Sequence, residues 1–263
     1  MKKTLILFSL LSCLFSVRAQ DLRAVFVSRL DSLLLEENFV GDFQQWAENR
    51  AINTVYVYNP YLIQDSAFES KMKHWLESLP QVEWVAIVST VNGYQELFGQ
   101  EKGPWSGFMW EREWWNDADP RLGFQAFIQG LNQCYPRYGM KHHLYMGWFD
   151  ESPRVARRQW AKLDDRCDVI LLHAYQPQLE VEYMSSRLQL IGEAYKMRSC
   201  RKNPKVAILY SAQKKYSGIS LQGQSMDGLH ATYSQNLQDS IYACPPLSGW
   251  ALFTWLDHWE LLP

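Results

Sequence analysis

The chain has 263 residues, of which 47% are hydrophobic, 21% charged and 14% aromatic, and its formal net charge is −2. This composition excludes a disordered or collagen-like chain and supplies enough apolar material for one sizeable core. The 26 Lys and Arg nearly balance the 28 Asp and Glu without a long basic block, which argues against a nucleic-acid partner. The 12 Trp and 14 Tyr exceed the needs of such a core and leave aromatic faces for flat partners such as sugar rings.

Residues 1–19 have the pattern of a secretory signal peptide, with a Met-Lys-Lys start, a short apolar run and a Val-Arg-Ala cleavage site. We therefore expect residues 1–19 to be removed and the mature chain to be exported, to the periplasm or the extracellular space. Residues 10–13 (Leu-Leu-Ser-Cys) resemble a bacterial lipobox, so a lipoprotein anchored through Cys13 is the second interpretation. No later segment approaches the roughly 20 apolar residues of a membrane span.

Apolar, β-branched runs alternate with helical patterns along the rest of the chain. The predicted strands are Ala24–Ser28, Thr54–Tyr58, Trp84–Ser89, Gly107–Arg112, His143–Phe149, Val169–Tyr175, Val206–Tyr210 and Trp250–Trp255. The predicted helices are Phe39–Arg50, Ala67–Ser78, Arg121–Tyr138, Pro153–Asp164, Val181–Cys200 and Leu229–Ala243. This alternation predicts an α/β fold in which residues 20–263 form a single (β/α)8 TIM-type barrel. An open, doubly wound sheet is the alternative.

Four cysteines follow the leader, and an even number in an exported chain permits two disulfides whose pairing the sequence leaves open. They are Cys134, Cys167, Cys200 and Cys244. Their wide spacing, and the lack of HxH or HExxH motifs, predict that the protein binds no metal. The chain also lacks a GxGxxG motif, a phosphate-binding loop and a GxSxG motif, so we expect no cofactor. We expect a monomer.

In a (β/α)8 barrel, the chemistry belongs at the carboxyl ends of the strands. Acidic and aromatic residues are frequent at those positions, and we predict that a set of them binds substrate. The set is Trp114, Trp115, Asn116, Trp148, Asp150, Glu151, His173, Gln176, Trp255 and Asp257. Two alternatives stay open: His173 also fits a core histidine on an apolar strand, and Glu151 fits an ordinary helix start before Pro153.

The fourth predicted strand carries two carboxylates on one face. Because side chains alternate along a strand, Met109, Glu111 and Glu113 point the same way. Close like charges in a partly desolvated site raise the pKa of one carboxyl, which then holds a proton for general acid catalysis near neutral pH. This arrangement suits the cleavage of glycosidic bonds. The alternative is that one or both acids pair with a cation such as Arg112 or Arg29.

The order of these segments resembles the family-18 glycoside hydrolases, the chitinases and endo-β-N-acetylglucosaminidases. Residues 106–113 (Ser-Gly-Phe-Met-Trp-Glu-Arg-Glu) are similar to the family's fourth-strand motif Asp-Gly-x-Asp-x-Asp-x-Glu, which places the proton-donating glutamate on Glu113. Residues 169–176 are similar to the sixth strand, which places Tyr175 on the tyrosine that contacts the reacting acetamido group. Residues 249–257 resemble the last strand, which brings a Trp to the floor of the −1 sugar site.

The chain also departs from that family. Ser106 and Met109 stand where the motif has its first two Asp, Glu111 stands at the third, and Gln176 replaces the sixth-strand Asp. The resemblance implies a hydrolase of β-linked, N-acetylglucosamine-containing glycans, on oligosaccharides or glycoproteins. It implies Glu113 as general acid and base, Glu111 as the orienting or nucleophilic carboxylate, and Tyr175 as the residue that positions the −1 sugar.

Three alternatives to this mechanism and function remain. Glu113 could work with an acid from another strand, such as Asp150 or Glu151. The barrel could be catalytically silent and bind a glycan or a protein partner, since Ser106 and Met109 remove carboxylates that support the acid in the resembling family. It could also be a hydrolase of another kind, because a fold does not fix its chemistry.

Overall fold

The computed structural model describes residues 21–99, 103–134, 139–147, 152–174, 181–197, 204–211, 225–240 and 247–253. Eight parallel strands form a closed barrel in which each strand pairs with its neighbours in chain order and β8 pairs with β1. The strands are β1 Leu22–Val27, β2 Thr54–Val57, β3 Glu83–Val88, β4 Gly107–Trp110, β5 Lys141–Met146, β6 Val169–His173, β7 Lys205–Ser211 and β8 Leu247–Phe253. The predicted single (β/α)8 barrel is confirmed, and the open sheet is excluded.

Helices connect the strands and cover the outside of the barrel. They are α1 Leu30–Leu33, α2 Phe39–Asn49, α3 Glu69–Ser78, α4 Val91–Phe98, α5 Pro120–Cys134, α6 Pro153–Asp164, α7 Val181–Met197 and α8 Met226–Ser240. Two short 3-10 helices, Pro60–Gln64 and Trp114–Asn116, follow β2 and β4. Across the described part of the chain, no helix combines the length and the apolar character that a membrane span requires.

Both faces of the strands are buried, which explains why the strand sequences are nearly continuous apolar runs. On β2, Val55 and Val57 join a large outer cluster between the barrel and the helices, whereas Tyr56 points into the barrel. The outer cluster also holds Cys134 and Cys167; Cys200 and Cys244 lie outside the described residues. The barrel interior is filled by Leu22, Ala24, Phe26, Tyr56, Val85, Ile87, Met109, Tyr145, Val169, Leu171, Ala207, Leu209 and Ala251.

Closure of the barrel depends on a glycine in β8. Gly249 has a φ of 126° and is paired with Leu22 of β1. A Cβ atom at this position would lie 2.0 Å from the backbone oxygen of Leu22, so neither the dihedral angle nor the space admits a side chain. The β1–β8 junction therefore requires glycine at residue 249.

A buried polar chain crosses the amino-terminal half of the barrel. Tyr56 and His143, both fully buried, are joined by a 2.9 Å hydrogen bond between the tyrosine hydroxyl and Nδ1. Nε2 of His143 lies 3.4 Å from Oε1 of Glu83, and Nζ of Lys141 lies 2.8 Å from Oε2 of Glu83. Burial alone would raise the pKa of Glu83, but the hydrogen bonds and charges of His143 and Lys141 lower it to about 2.

Candidate active site

The candidate site begins where β4 ends. Met109 is buried inside the barrel, and Phe108 and Trp110 pack in the outer cluster, as the alternation along the strand requires. The backbone N–H of Glu111 donates to the oxygen of Val88 at 2.9 Å, which extends the parallel ladder one residue beyond the strand. The side chain of Glu111 is therefore directed to the inner face, at the carboxyl end of the barrel.

A tyrosine that follows β2 holds Glu111. The hydroxyl of Tyr58 donates to Oε1 of Glu111 at 2.6 Å, and Tyr58 itself packs against the interior cluster. Burial raises the pKa of Glu111, the hydrogen bond from Tyr58 opposes this effect, and the charge of Glu113 raises the pKa further. The net shift is upward, so the carboxyl of Glu111 retains its proton at higher pH than an ordinary glutamate does.

Glu113 occupies a different environment two residues further along. It is exposed, and its Oε1 accepts a hydrogen bond from the hydroxyl of Tyr145 on β5. Its Oε2 accepts a 2.5 Å hydrogen bond from Nδ2 of Asn116, in the short 3-10 helix Trp114–Asn116. Both carboxylates thus follow β4 and accept hydrogen bonds from tyrosine hydroxyls of the barrel interior.

The nearest cation in sequence is turned away from these acids. Arg112 donates from Nη2 to both carboxylate oxygens of Asp117, at 2.9 and 2.6 Å. Among the described residues, neither Glu111 nor Glu113 forms an ion pair. The described contacts of Glu111 and Glu113 therefore do not support the alternative in which these acids only pair with a neighbouring cation.

Three aromatic rings stand beside Glu113 at the ends of neighbouring strands. The rings of Trp115 and Tyr145 are nearly perpendicular at 5.7 Å, and His173 lies 6.4 Å from Trp115 and 6.2 Å from Tyr145. We call Trp115, Tyr145 and His173 the aromatic cluster. Gly147 makes room for this cluster, since a Cβ atom there would lie 2.1 Å from Nε2 of His173 and 2.7 Å from Cζ2 of Trp115.

A buried arginine supports the aromatic cluster from α7. The side chain of Arg187 donates to the carbonyl oxygen of His173 at 3.0 Å, and also to the carbonyl oxygen of Gly147 and the hydroxyl of Tyr183. Burial and the nearby charge of Arg187 lower the pKa of His173 to about 3. His173 is therefore a neutral ring near pH 7, and Arg187 ties the ends of β5 and β6 to a helix.

The structure gives Trp114 a packing role. Its side chain is fully buried in the outer cluster, where its ring stacks on Phe127 at 4.6 Å and meets Phe124 edge-on at 5.3 Å. A ring covered in this way has no face left for a sugar, although the sequence placed Trp114 among the substrate-binding residues. Trp115, the next residue, points to the opposite side and joins the site.

Two non-glycine residues with positive φ lie at the same end of the barrel. Arg29 follows β1 with a φ of 53°, and Asn59 follows β2 with a φ of 54°. Left-handed backbone is unfavourable for arginine and better tolerated by asparagine. Such conformations concentrate at functional sites, where surrounding structure enforces them.

The structure thus brings together five of the residues expected at the site, namely Glu111, Glu113, Trp115, Asn116 and His173. The remaining expected site residues lie outside the described part of the chain: Trp148, Asp150, Glu151, Tyr175, Gln176, Trp255 and Asp257. The same holds for the expected leader, residues 1–19. Within the described ranges, no group of three or more His, Cys, Asp or Glu is arranged to hold a metal ion.

Sequence reasoning missed three residues of the site. Tyr58 carried a usable signal, because it lies two residues after Tyr56 in a predicted strand and so shares its inner face. Tyr145 carried the same signal two residues after His143. Arg187 carried none, because an arginine in a helical pattern is ordinarily a solvated side chain.

No model of a known protein family matches the chain, and neither does any curated protein. Solved structures with a similar fold include the carboxyl transferase domain of Rhizobium etli pyruvate carboxylase with pyruvate and biocytin, at 8% identity and a TM-score of 0.50. They also include an F420-dependent secondary alcohol dehydrogenase in complex with an F420-acetone adduct, at 9% identity and a TM-score of 0.50. Each match covers 89% of this chain, with 40% of the carboxyl transferase chain and 93% of the dehydrogenase chain. At such identities the likeness shows the barrel fold alone.

Proposed function

We propose that the protein is an exported glycoside hydrolase that cleaves β-linked, N-acetylglucosamine-containing glycans by carboxylate acid and base catalysis. The observation that carries this proposal is the pair Glu111 and Glu113, which follow β4 at the carboxyl end of the barrel and each accept a hydrogen bond from a tyrosine hydroxyl. Their surroundings differ, with Glu111 half-buried and Glu113 exposed. Acid and base catalysis of glycoside hydrolysis uses a pair of carboxyls, and burial raises the pKa of Glu111, as a proton donor requires.

The aromatic cluster supports a carbohydrate as the substrate. Trp115 is partly exposed beside Glu113, and aromatic rings next to carboxylates suit the apolar face and the hydroxyl groups of a sugar. His173, neutral near pH 7, offers a polar edge to such a ligand without adding charge. The resemblance of residues 106–113 to the family-18 motif supports a sugar with a 2-acetamido group in this site.

The export pattern of residues 1–19 supports a glycan partner outside the cytoplasm. The mature chain is proposed to begin near residue 20, to act as a monomer and to need no cofactor. Mass spectrometry of the protein secreted by its own cells tests whether residues 1–19 are removed. A secreted chain that retains residues 1–19 would overturn the proposed cleavage.

The experiment that tests the activity compares the mature protein with Glu113→Gln on a panel of β-linked oligosaccharides, aryl glycosides and glycoproteins. Release of reducing ends or aglycone by the wild type, and its loss in the variant with glycan binding retained, supports a glycosidase. Glu69→Gln, on the outer surface of α3, is the matched control and should keep full activity. Absence of hydrolysis by the wild type on every substrate would overturn the proposal.

A catalytically silent glycan-binding or protein-binding barrel is the second candidate. The observation that favours it is Met109, which is fully buried inside the barrel where the resembling family has a carboxylate. A silent barrel would bind glycans equally well as wild type and as Glu113→Gln while hydrolysing none. Calorimetric titration with the same oligosaccharides separates the two candidates.

A further inference from the structure

The two candidate acids differ in how many hydrogen bonds their oxygens receive. Glu113 accepts one on each oxygen, from the hydroxyl of Tyr145 and from the amide nitrogen of Asn116. Glu111 accepts one on Oε1, from Tyr58 at 2.6 Å. Among the described residues, no donor reaches Oε2 of Glu111. The carboxyl of Glu111 can therefore carry a proton on Oε2 without breaking an existing bond.

The contact with Asn116 restricts where a proton could sit on Glu113. An amide nitrogen only donates, so a proton on Oε2 would face the Nδ2 of Asn116, donor against donor. Donors on both oxygens stabilise the ionised form of a carboxyl, and exposure to water does the same. Glu113 is thus the exposed acid of the pair, with a donor on each of its oxygens.

The charges around Glu111 act in the opposite direction. It is the more buried of the two carboxyls, and the titratable groups that face it from the described elements are Tyr58 and Glu113. Arg112, which could have stabilised an anion, is held by Asp117. Burial and the charge of Glu113 raise the pKa of Glu111 in spite of the Tyr58 hydrogen bond. Of the two acids, Glu111 is therefore the one whose surroundings raise its pKa.

We propose that the catalytic roles are divided in the opposite sense from the one the family resemblance implies, with Glu111 as the proton donor and Glu113 as the base. This inference rests on the proposed glycosidase function. As the bond from C1 to the glycosidic oxygen breaks, its electron pair goes to that oxygen, which takes the proton from Glu111. Water adds to C1 and loses its proton to exposed Glu113, and exchange with solvent returns both acids to their starting forms.

Leaving-group dependence tests this division of roles. A variant without the acid fails on natural oligosaccharides but still cleaves aryl glycosides whose leaving group needs no proton. We expect Glu111→Gln to lose about 10²-fold to 10⁴-fold on oligosaccharides and to stay within about tenfold of wild type on 2,4-dinitrophenyl glycosides. We expect Glu113→Gln to lose activity on both substrates. The reverse pattern would overturn the assignment.

A titration that needs no turnover keeps this inference separate from the proposed function. Carbon-13 NMR of glutamate-labelled protein follows the carboxyl carbons of Glu111 and Glu113, assigned through the two Gln variants, with Glu69→Gln as a control. Glu111 should titrate at higher pH than an ordinary glutamate does. A Glu111 carboxyl that titrates in the ordinary glutamate range or below it would overturn the inference even in an active enzyme. Absence of wild-type hydrolysis in a protein whose Glu111 does titrate at raised pH would overturn the catalytic roles through the proposed function.

Discussion

Two tyrosines, one after β2 and one on β5, hydrogen-bond the two candidate acids that follow β4. Tyr58 and Tyr145 come from the barrel interior, and each places its hydroxyl on one carboxyl, Glu111 and Glu113 respectively. A hydrogen bond to a charged group contributes about 1.5–3 kcal/mol, so the bond from Tyr58 is large enough to shift the protonation of Glu111. Each acid takes its tyrosine hydrogen bond from a different part of the barrel.

Replacing Tyr58 with Phe should raise the pKa of Glu111. The hydrogen bond from Tyr58 opposes the effect of burial, and its loss leaves burial and the charge of Glu113 to act together. Carbon-13 NMR titration of the Glu111 carboxyl measures the change. Tyr145→Phe, which removes the donor to Glu113, is the matched control, and Glu111 should respond less to it. A pKa of Glu111 that is unchanged or lower in Tyr58→Phe would contradict this account.

The sequence predicted the carboxylates of the site better than their partners. Strand periodicity is local, so it placed Glu111 and Glu113 on one face without knowledge of the rest of the barrel. Which side chain meets them depends on contacts between strands far apart in the chain, such as Tyr58 with Glu111. The same limit explains Trp114, whose burial against Phe124 and Phe127 depends on where α5 packs.

At the scale of secondary-structure elements, the position of every strand followed from hydrophobic runs, because strands buried on both faces are the most regular signal in a sequence. The helix Val91–Phe98 was missed because Asn92 and Gly93 are poor helix formers. The cap at Thr90, whose side-chain oxygen accepts from the N–H of Gly93 at 2.9 Å, supports that helix start. Strand ends were less accurate, as β4 ends at Trp110 and not at Arg112.

The β1–β8 junction should not tolerate Gly249→Ala. The added methyl would meet the backbone of Leu22 at a φ that L-residues rarely adopt, so we expect a loss of at least about 2 kcal/mol in the free energy of unfolding. Urea denaturation of the purified variant measures it. Gly41→Ala is the matched control, because a Cβ there meets nothing within 4 Å; on α2 it should gain about 0.5–1 kcal/mol. Equal effects of the two substitutions would contradict this role of Gly249.

Replacing Arg187 with Met should loosen the contact of α7 with the ends of β5 and β6. The carbonyls of Gly147 and His173 would lose their donor, so we expect a cost of about 2–3 kcal/mol in unfolding free energy. The pKa of His173 should also rise, since the charge of Arg187 lowers it. Proton NMR of the imidazole follows this second readout. Arg158→Met, on an exposed part of α6, should change neither quantity, and an unshifted His173 in Arg187→Met would exclude the electrostatic link.

At the scale of the whole molecule, the two ends of the barrel have distinct electrostatics. The carboxyl end holds a carboxyl of raised pKa, Glu111, whereas the amino end holds Glu83 with a pKa of about 2. Glu83 is fixed to β5 through His143 and Lys141, so its ion pairs join β3 to a strand two positions away around the barrel. The raised pKa of Glu111 suits proton transfer, whereas the contacts of Glu83 with His143 and Lys141 contribute to the stability of the fold.

The contribution of Glu83 should depend on pH. Its pKa falls from 4.5 in the unfolded chain to about 2 in the folded protein, so the stabilisation is fully present above pH 4.5 and is lost as the pH falls toward 2. Glu83→Gln should therefore cost on the order of 2 kcal/mol at pH 7 and progressively less at pH 4 and pH 2.5. Urea unfolding at the three pH values measures this trend. Glu69→Gln, at an exposed pair, should stay within about 0.5 kcal/mol throughout, and a constant penalty for Glu83→Gln would refute the linkage.

The pairing of Leu22 with Gly249 has a consequence for how the protein is made. These residues are roughly 230 positions apart, so the barrel cannot close until the last strand has left the ribosome. A nascent chain that lacks β8 presents the unpaired edge of β1 and stays open to chaperones. If the protein is exported as proposed above, this delay would keep the polypeptide in the unfolded form that a secretion channel accepts until it has crossed the membrane.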